Sequence, residues 1–268
     1  MIGIFDSGLG GLTVLKEVKS LLPQYDYLYF GDTLHVPYGG RSQEAVFDLT
    51  KNACQYLFDN GCRLVILACN TASAKALRQL QREYLPEVKK KLGDDINILG
   101  VIRPVAEEIA RSSAGKVGVI ATIGTVKSKT YETELLTQKG SLKVYEQACP
   151  LLVPLIEENW IKRKELKSIL RYYLRPLKEK KVDTLILGCT HYPLILRQVR
   201  GIMGKSCAVP NPAQIVAVSL QDYLLRHLEI AKSLKSESTV KYVVTDLNEN
   251  FQALANKFLG ENIIINKI

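Results

Sequence analysis

The chain has 268 residues, enough for one large or two small domains, and its 47% apolar and 24% charged residues are the balance of a globular protein rather than a disordered one. No apolar run approaches the roughly 18 residues that would cross a bilayer, and Met1-Ile2-Gly3-Ile4-Phe5 reads as a first strand rather than a secretion signal, so the expected compartment is the cytoplasm. The formal charge of +9 lies in short runs such as Lys89-Lys90-Lys91, at predicted helix ends or loops and without interleaved aromatics; it argues for a solvated basic surface that steers a small anion, and against a nucleic-acid or membrane partner.

Short apolar runs alternate with helical patterns along most of the chain, the signature of parallel α/β sheets. Strands are predicted at residues 2–5, 27–30, 64–68, 98–101, 117–121, 142–145, 185–187, 241–244 and 263–265. The first ends in Asp6-Ser7-Gly8-Leu9-Gly10-Gly11, a glycine turn opening a helix whose amides suit an anion, though it is neither a dinucleotide fingerprint nor a P-loop. The second runs into Asp32 through Gly40, where Pro37 and Gly39 shape a loop that places Tyr38 to cover a ligand. Ser42 caps a helix running to Asn60, with Val46, Leu49, Ala53 and Leu57 on one face and Gly61 as its stop. The third strand runs into Cys69-Asn70-Thr71, and a helix over 73–84 ends before Pro86. The strand at 185–187 runs into Cys189-Thr190-His191. A long helix is predicted over 213–231.

A faint internal repeat relates Gly3–Gly10 to Gly118–Thr125, each a strand, a hydroxyl residue and a glycine-bearing turn; Cys69 follows Ser7 by 62 residues and Cys189 follows Thr122 by 67. This implies two similar halves facing one cleft. The expected division is 1–97 with 208–268 as a first, discontinuous α/β domain carrying Cys69, and 98–207 as a second carrying Cys189.

Ligands sit at the carboxyl ends of parallel strands, which is where both cysteines fall. A zinc site drawn from Cys69, Cys189, His191 and Asp6 lacks any C-x-x-C pair and has only one histidine nearby. A Cys/His hydrolase leaves the other strand-end cysteine idle. Two core-filling cysteines leave the polar residues after each unexplained. The remaining option uses both thiols: one, as thiolate, removes the α-proton of an amino acid, and the other returns a proton to the opposite face. Cys54, Cys62, Cys149 and Cys207 read as small buried hydrophobes rather than disulfide partners.

At these residues the chain resembles the glutamate racemases of the aspartate/glutamate racemase superfamily. The matching segments are Phe5-Asp6-Ser7-Gly8-x-Gly10-Gly11-Leu12, Phe30-Gly31-Asp32 with Pro37-Tyr38-Gly39, Ala68-Cys69-Asn70-Thr71-Ala72-Ser73, Ala121-Thr122-x-Gly124-Thr125, Val153-Pro154-Leu155-Ile156-Glu157-Glu158 and Gly188-Cys189-Thr190-His191-Tyr192-Pro193. The resemblance implies two flavodoxin-like domains with the site between them, and interconversion of L- and D-glutamate for peptidoglycan with no cofactor and no metal. It also implies Cys69 as the base for the D-isomer and Cys189 for the L-isomer, assisted by Asp6 and His191 respectively, with Glu157 or its neighbour Glu158 a further acid. Asp6, Ser7, Asp32, Pro37, Tyr38, Gly39, Asn70, Thr71, Thr122, Thr125, Thr190 and His191 match substrate-binding positions. His191 favours glutamate over aspartate, since aspartate racemases tend to carry Glu there. A homodimer is expected. Racemisation of aspartate, or a binding role toward another protein such as gyrase, stay open as alternatives.

Overall fold

The computed structural model describes residues 1–234, 236–247 and 249–268. Its strands, in chain order, are β1 (Ile2–Asp6), β2 (Tyr27–Gly31), β3 (Leu64–Leu67), β4 (Asn97–Gly100), β5 (Lys116–Ala121), β6 (Lys143–Ala148), β7 (Thr184–Gly188), β8 (Val240–Val244) and β9 (Ile265–Lys267). They form two all-parallel sheets, β4-β3-β1-β2-β8-β9 and β6-β5-β7. β1, β2, β3 and β7 are buried along their whole length, as continuous apolar runs are when helices cover both faces of a parallel sheet.

Strand order explains why the two halves resemble each other. In the first sheet the chain goes from β1 to β2 on one side, then crosses to β3 on the other. In the second it goes from β5 to β6, then crosses to β7. Each sheet therefore has a topological switch point, between β1 and β3 and between β5 and β7, where a crevice opens at the carboxyl ends. Ser7 and Cys69 emerge at the first, Thr122 and Cys189 at the second.

Side chains alternate between two cores. Ile2 and Ile4 join an apolar cluster that continues into the second sheet through Val117, Val119 and Leu185. Phe5, Val65 and Leu67 belong to a cluster on the other face of the first sheet. Each fully buried aliphatic side chain contributes roughly 1.5–3 kcal/mol. The helix Pro212–Arg226, capped by the Asn211 side chain accepting from Ala213 N–H, packs on both Leu12–Leu21 and Ile102–Ser112 and so ties the domains together.

Four expectations need correction. β4 pairs with β3, with Leu64 opposite Asn97, so it lies in the first sheet, whereas a division between 97 and 98 puts it in the second half. The helical path after Lys75 does not stop before Pro86: a π-turn over Leu80–Tyr84 leads into Leu85–Leu92. Such a wide turn absorbs the missing proline N–H, and Pro86 then sits in the first turn of the next segment. The helix expected over 213–231 breaks at His227, which leaves helical geometry at φ −119°, ψ 68°. β6 and β9 run two to three residues beyond the expected windows, since their ends are set by pairing with β5 and β8 rather than by hydrophobicity.

Candidate active site

β1 delivers Asp6 to the bottom of the cleft, fully buried. Its carboxylate accepts from Gly8 N–H at 2.9 Å and from the Thr190 hydroxyl at 3.2 Å, the latter across the two domains. Thr13 adds a second crossing bond, donating to the Thr190 carbonyl at 3.0 Å. The glycines allow this approach: a Cβ on Gly10 would lie 2.2 Å from Thr190 Oγ1 and 2.6 Å from His191 Nδ1. Burial raises the pKa of Asp6, against the opposing pull of His191 and the Gly8, Gly11 and Thr190 donors.

Cys69 ends the β3 run and caps the helix Asn70–Lys75. Its Sγ lies 3.4 Å from Ser7 Oγ. Burial, reinforced by the Asp6 charge, pushes the thiol up to about 12, although the Ser7 hydroxyl and the Ala72 N–H favour the thiolate. Next to it, Asn70 has its side-chain oxygen fixed by a 2.7 Å bond from the Tyr131 hydroxyl.

Cys189 ends the β7 run, with Sγ 3.8 Å from His191 Nδ1. The other ring nitrogen of His191 lies 3.0 Å from Glu157 Oε1. Burial would lower the histidine pKa, but its bonds to Cys189 and Glu157 and the charges behind them win, and it stands well above the ordinary value. As an imidazolium it donates from both nitrogens, one toward the sulfur and one toward the carboxylate.

The rim is made by hydroxyls. Thr122 caps the helix Ile123–Lys127 by accepting from Thr125 N–H, and its Oγ1 lies 3.0 Å from that of Thr71. The loop after β2 closes over them where Gly124 N–H donates to Gly39 O at 2.8 Å. Tyr38 donates to Asp32 at 2.6 Å, and Asp32 is held in turn by Thr245 and His35.

These residues enclose a cavity of about 390 Å³. Ser7, Pro37, Tyr38, Gly39, Cys69, Asn70, Thr71, Thr122, Glu157, Cys189, Thr190 and His191 line it. Asp6, Asp32 and Thr125 are buried behind its wall and reach it through Thr190, Tyr38 and Thr122. Of the two adjacent acids, Glu157 reaches the cavity, while Glu158 lines a separate groove with Asp246 and Lys257. All six cysteines are free and buried, but Cys149 is more than core, since it borders the cavity beside Val153 and Pro154. Cys149 lacks the polar residues that follow each of the two strand-end thiols, and Tyr131 lies in an ordinary polar helix stretch, so nothing in the sequence marked either as a cavity residue. Among the described residues no three His, Cys, Asp or Glu side chains converge to hold a metal, and no helix is long and apolar enough to cross a membrane.

The sequence profile of the Asp/Glu/Hydantoin racemase family matches residues 13–218. That match covers most of the chain, and the chain belongs to this racemase family. A glutamate racemase of Aquifex aeolicus is 39% identical over 263 residues, 98% of this chain and 95% of its own length. The structure of glutamate racemase isoform RacE1 from Bacillus anthracis matches with a TM-score of 0.88 at 32% identity, covering 100% of this chain and 97% of that one. A glutamate racemase from Francisella tularensis in complex with D-glutamate matches at 0.86 and 29% identity, covering 100% and 96%. Within the family this chain is an amino-acid racemase that groups with the glutamate racemases.

Proposed function

We propose that the chain interconverts L- and D-glutamate without a cofactor, Cys189 and Cys69 working on opposite faces of the α-carbon. The observation that carries this reading is a single cavity bounded by two strand-end thiols from different sheets, each with its own polar partner. The names of the relatives, and the D-glutamate held by one of them, support the substrate.

An α-C–H is a weak acid, so the base must be a thiolate and the developing charge must be met by fixed donors. The His191 ring faces the Cys189 sulfur and can hand a hydrogen bond to it, while burial keeps Cys69 a thiol. That pairing suits L-glutamate: Cys189 takes the α-proton, Cys69 gives its own to the other face, and D-glutamate forms. The enzyme is left with the proton on Cys189 and the charge on Cys69, where Ser7 donates to it; this is the form that accepts D-glutamate. Asn70, Thr71, Thr122 and Thr190 hold the carboxylates and the ammonium, and Asp32 locks Tyr38 over them. The closing parts are residues 1–100 with 208–268, and 101–207, so that β4 stays with its sheet. The role is supply of D-glutamate for peptidoglycan, in the cytoplasm.

Incubation of the protein with L-glutamate in deuterium oxide tests this. Circular dichroism is expected to decay, with α-deuterium entering mainly the D-product at early times. Deuterium entering L-glutamate with no optical change would sink the two-base scheme. Faster turnover of L-aspartate would move the substrate assignment.

A further inference from the structure

A second polar cavity, of about 480 Å³, lies between the two domains and outside the catalytic cleft. Lys75, Arg78 and Arg82 enter it from the helical segments after β3. Lys127, Ser128 and Thr130 enter it from those after β5. Arg78 is paired with Glu134 and Arg82 with Glu83. Among the described residues, neither Lys75 nor Lys127 has a carboxylate within ion-pair distance, and the Lys75 ammonium donates one of its hydrogens to the Arg41 carbonyl. Burial and the Lys127 charge together hold the Lys75 ammonium below its usual value, and Glu44 offsets this only from beyond contact.

Both lysines end short helices, Asn70–Lys75 and Ile123–Lys127. Favourable interaction with the helix dipole accounts for a lysine at each end. It does not account for two of them lining one cavity as like charges across a domain boundary. The same two helices begin at the catalytic rim, where Thr71 and Thr122 meet. The Lys75 stem also passes Gly124, whose N–H bonds Gly39 over the cleft: a Cβ on Gly124 would lie 3.1 Å from Lys75 Cε.

We propose that this cavity binds a phosphate-class anion that bridges Lys75 and Lys127, drawing together the two helices whose opposite ends carry Thr71 and Thr122 into the catalytic cleft. A doubly charged anion replaces a repulsion between domains with two attractions, and the Ser128 and Thr130 hydroxyls supply neutral donors beside them. Because both ligands then favour the closed arrangement, each tightens the binding of the other.

The full chain, in a phosphate-free zwitterionic buffer with ionic strength held by sodium chloride, is titrated with inorganic phosphate and, separately, glycerol phosphate. The readouts are Tm and ³¹P line width, neither of which depends on what the catalytic cleft turns over. A saturable rise in Tm with ³¹P broadening is expected from at least one anion, weakened about tenfold in Lys127→Met, the loss of one charge-assisted bond. Arg82→Gln should weaken it as well, and both side chains are exposed, so the variants fold. Basal racemisation without phosphate stays unchanged in Lys127→Met. Tighter binding of inorganic phosphate marks the free ion as ligand, and tighter binding of glycerol phosphate marks a phosphorylated metabolite. Shifts no larger than those of matched sodium chloride, or equal affinity in Lys127→Met, would overturn the proposal.

Discussion

Replacing Gly10 with alanine puts a methyl group where the structure has none to spare. The new carbon would lie 2.2 Å from Thr190 Oγ1 and 2.6 Å from His191 Nδ1. An ordinary contact needs about 3.4 Å, so the turn after β1 and the segment after β7 must part by ~1 Å, with overpacking costs of about 1–3 kcal/mol. The Thr190 bond to Asp6 lies along that line of separation, and its loss leaves a buried carboxylate short of a donor. In Tm this amounts to a fall of roughly 2–12 °C for a chain of this size. The effect on rate is larger, because a misplacement of about 1 Å at reacting groups costs on the order of 10²-fold. Since L- and D-glutamate have equal free energies, kcat/KM must fall by the same factor in both directions. Circular dichroism with each enantiomer measures both. Gly201→Ala is the control: its Cβ would meet nothing within 4 Å, it lies in the helix Leu196–Met203, and it should stabilise by about 0.5–1 kcal/mol. Parental activity and Tm in Gly10→Ala would refute the packing argument.

Cys69→Ser and Cys189→Ser should each lower kcat/KM by about 10²–10⁴-fold while keeping the parental Tm; an active single mutant would reject the paired-thiol scheme. Tyr131→Phe strips the donor from buried Asn70, and a Tm drop equivalent to about 1–3 kcal/mol is expected, with a matching fall in kcat/KM. Stability should also fall with alkali. Burial pushes Cys62 and Cys69 up to about 12 in the fold, so between roughly pH 8.5 and 12 the unfolded chain sheds protons that the native state keeps. The unfolded state then binds fewer protons, and ΔG falls by about 1.4 kcal/mol per pH unit for each thiol. Denaturant midpoints across that range check it; a flat profile would mean these thiols are not desolvated.

Much of this structure could be read in one dimension because its strands are buried on both faces. A run such as Leu64–Leu67 followed by a polar Cys69-Asn70-Thr71 announces a strand and the end of a strand together, and both thiols were found that way. What escaped was decided by partners distant in sequence. Asn97–Gly100 looks the same whether it pairs with β3 or begins a new sheet. Pro86 reads as a stop unless the π-turn before it is known. Glu157 and Glu158 are chemically identical and differ only in which side of a short helix faces His191. Tyr131 touches Asn70 across the domain boundary, a contact that no local pattern encodes.

The matching switch points of the two sheets bear on handedness. A chain of L-residues has no mirror plane to offer, so it cannot present both hands of a substrate with equal surroundings in one fixed pocket. Setting two copies of one sheet-edge geometry against each other is the nearest it can come, since each copy sees the face its counterpart does not. On the proposed two-base scheme, inversion belongs to the pair. On that scheme the first half brings only Cys69 to its switch point and the second only Cys189, and either strand-end thiol alone would lift an α-hydrogen and set it back on the side it came from.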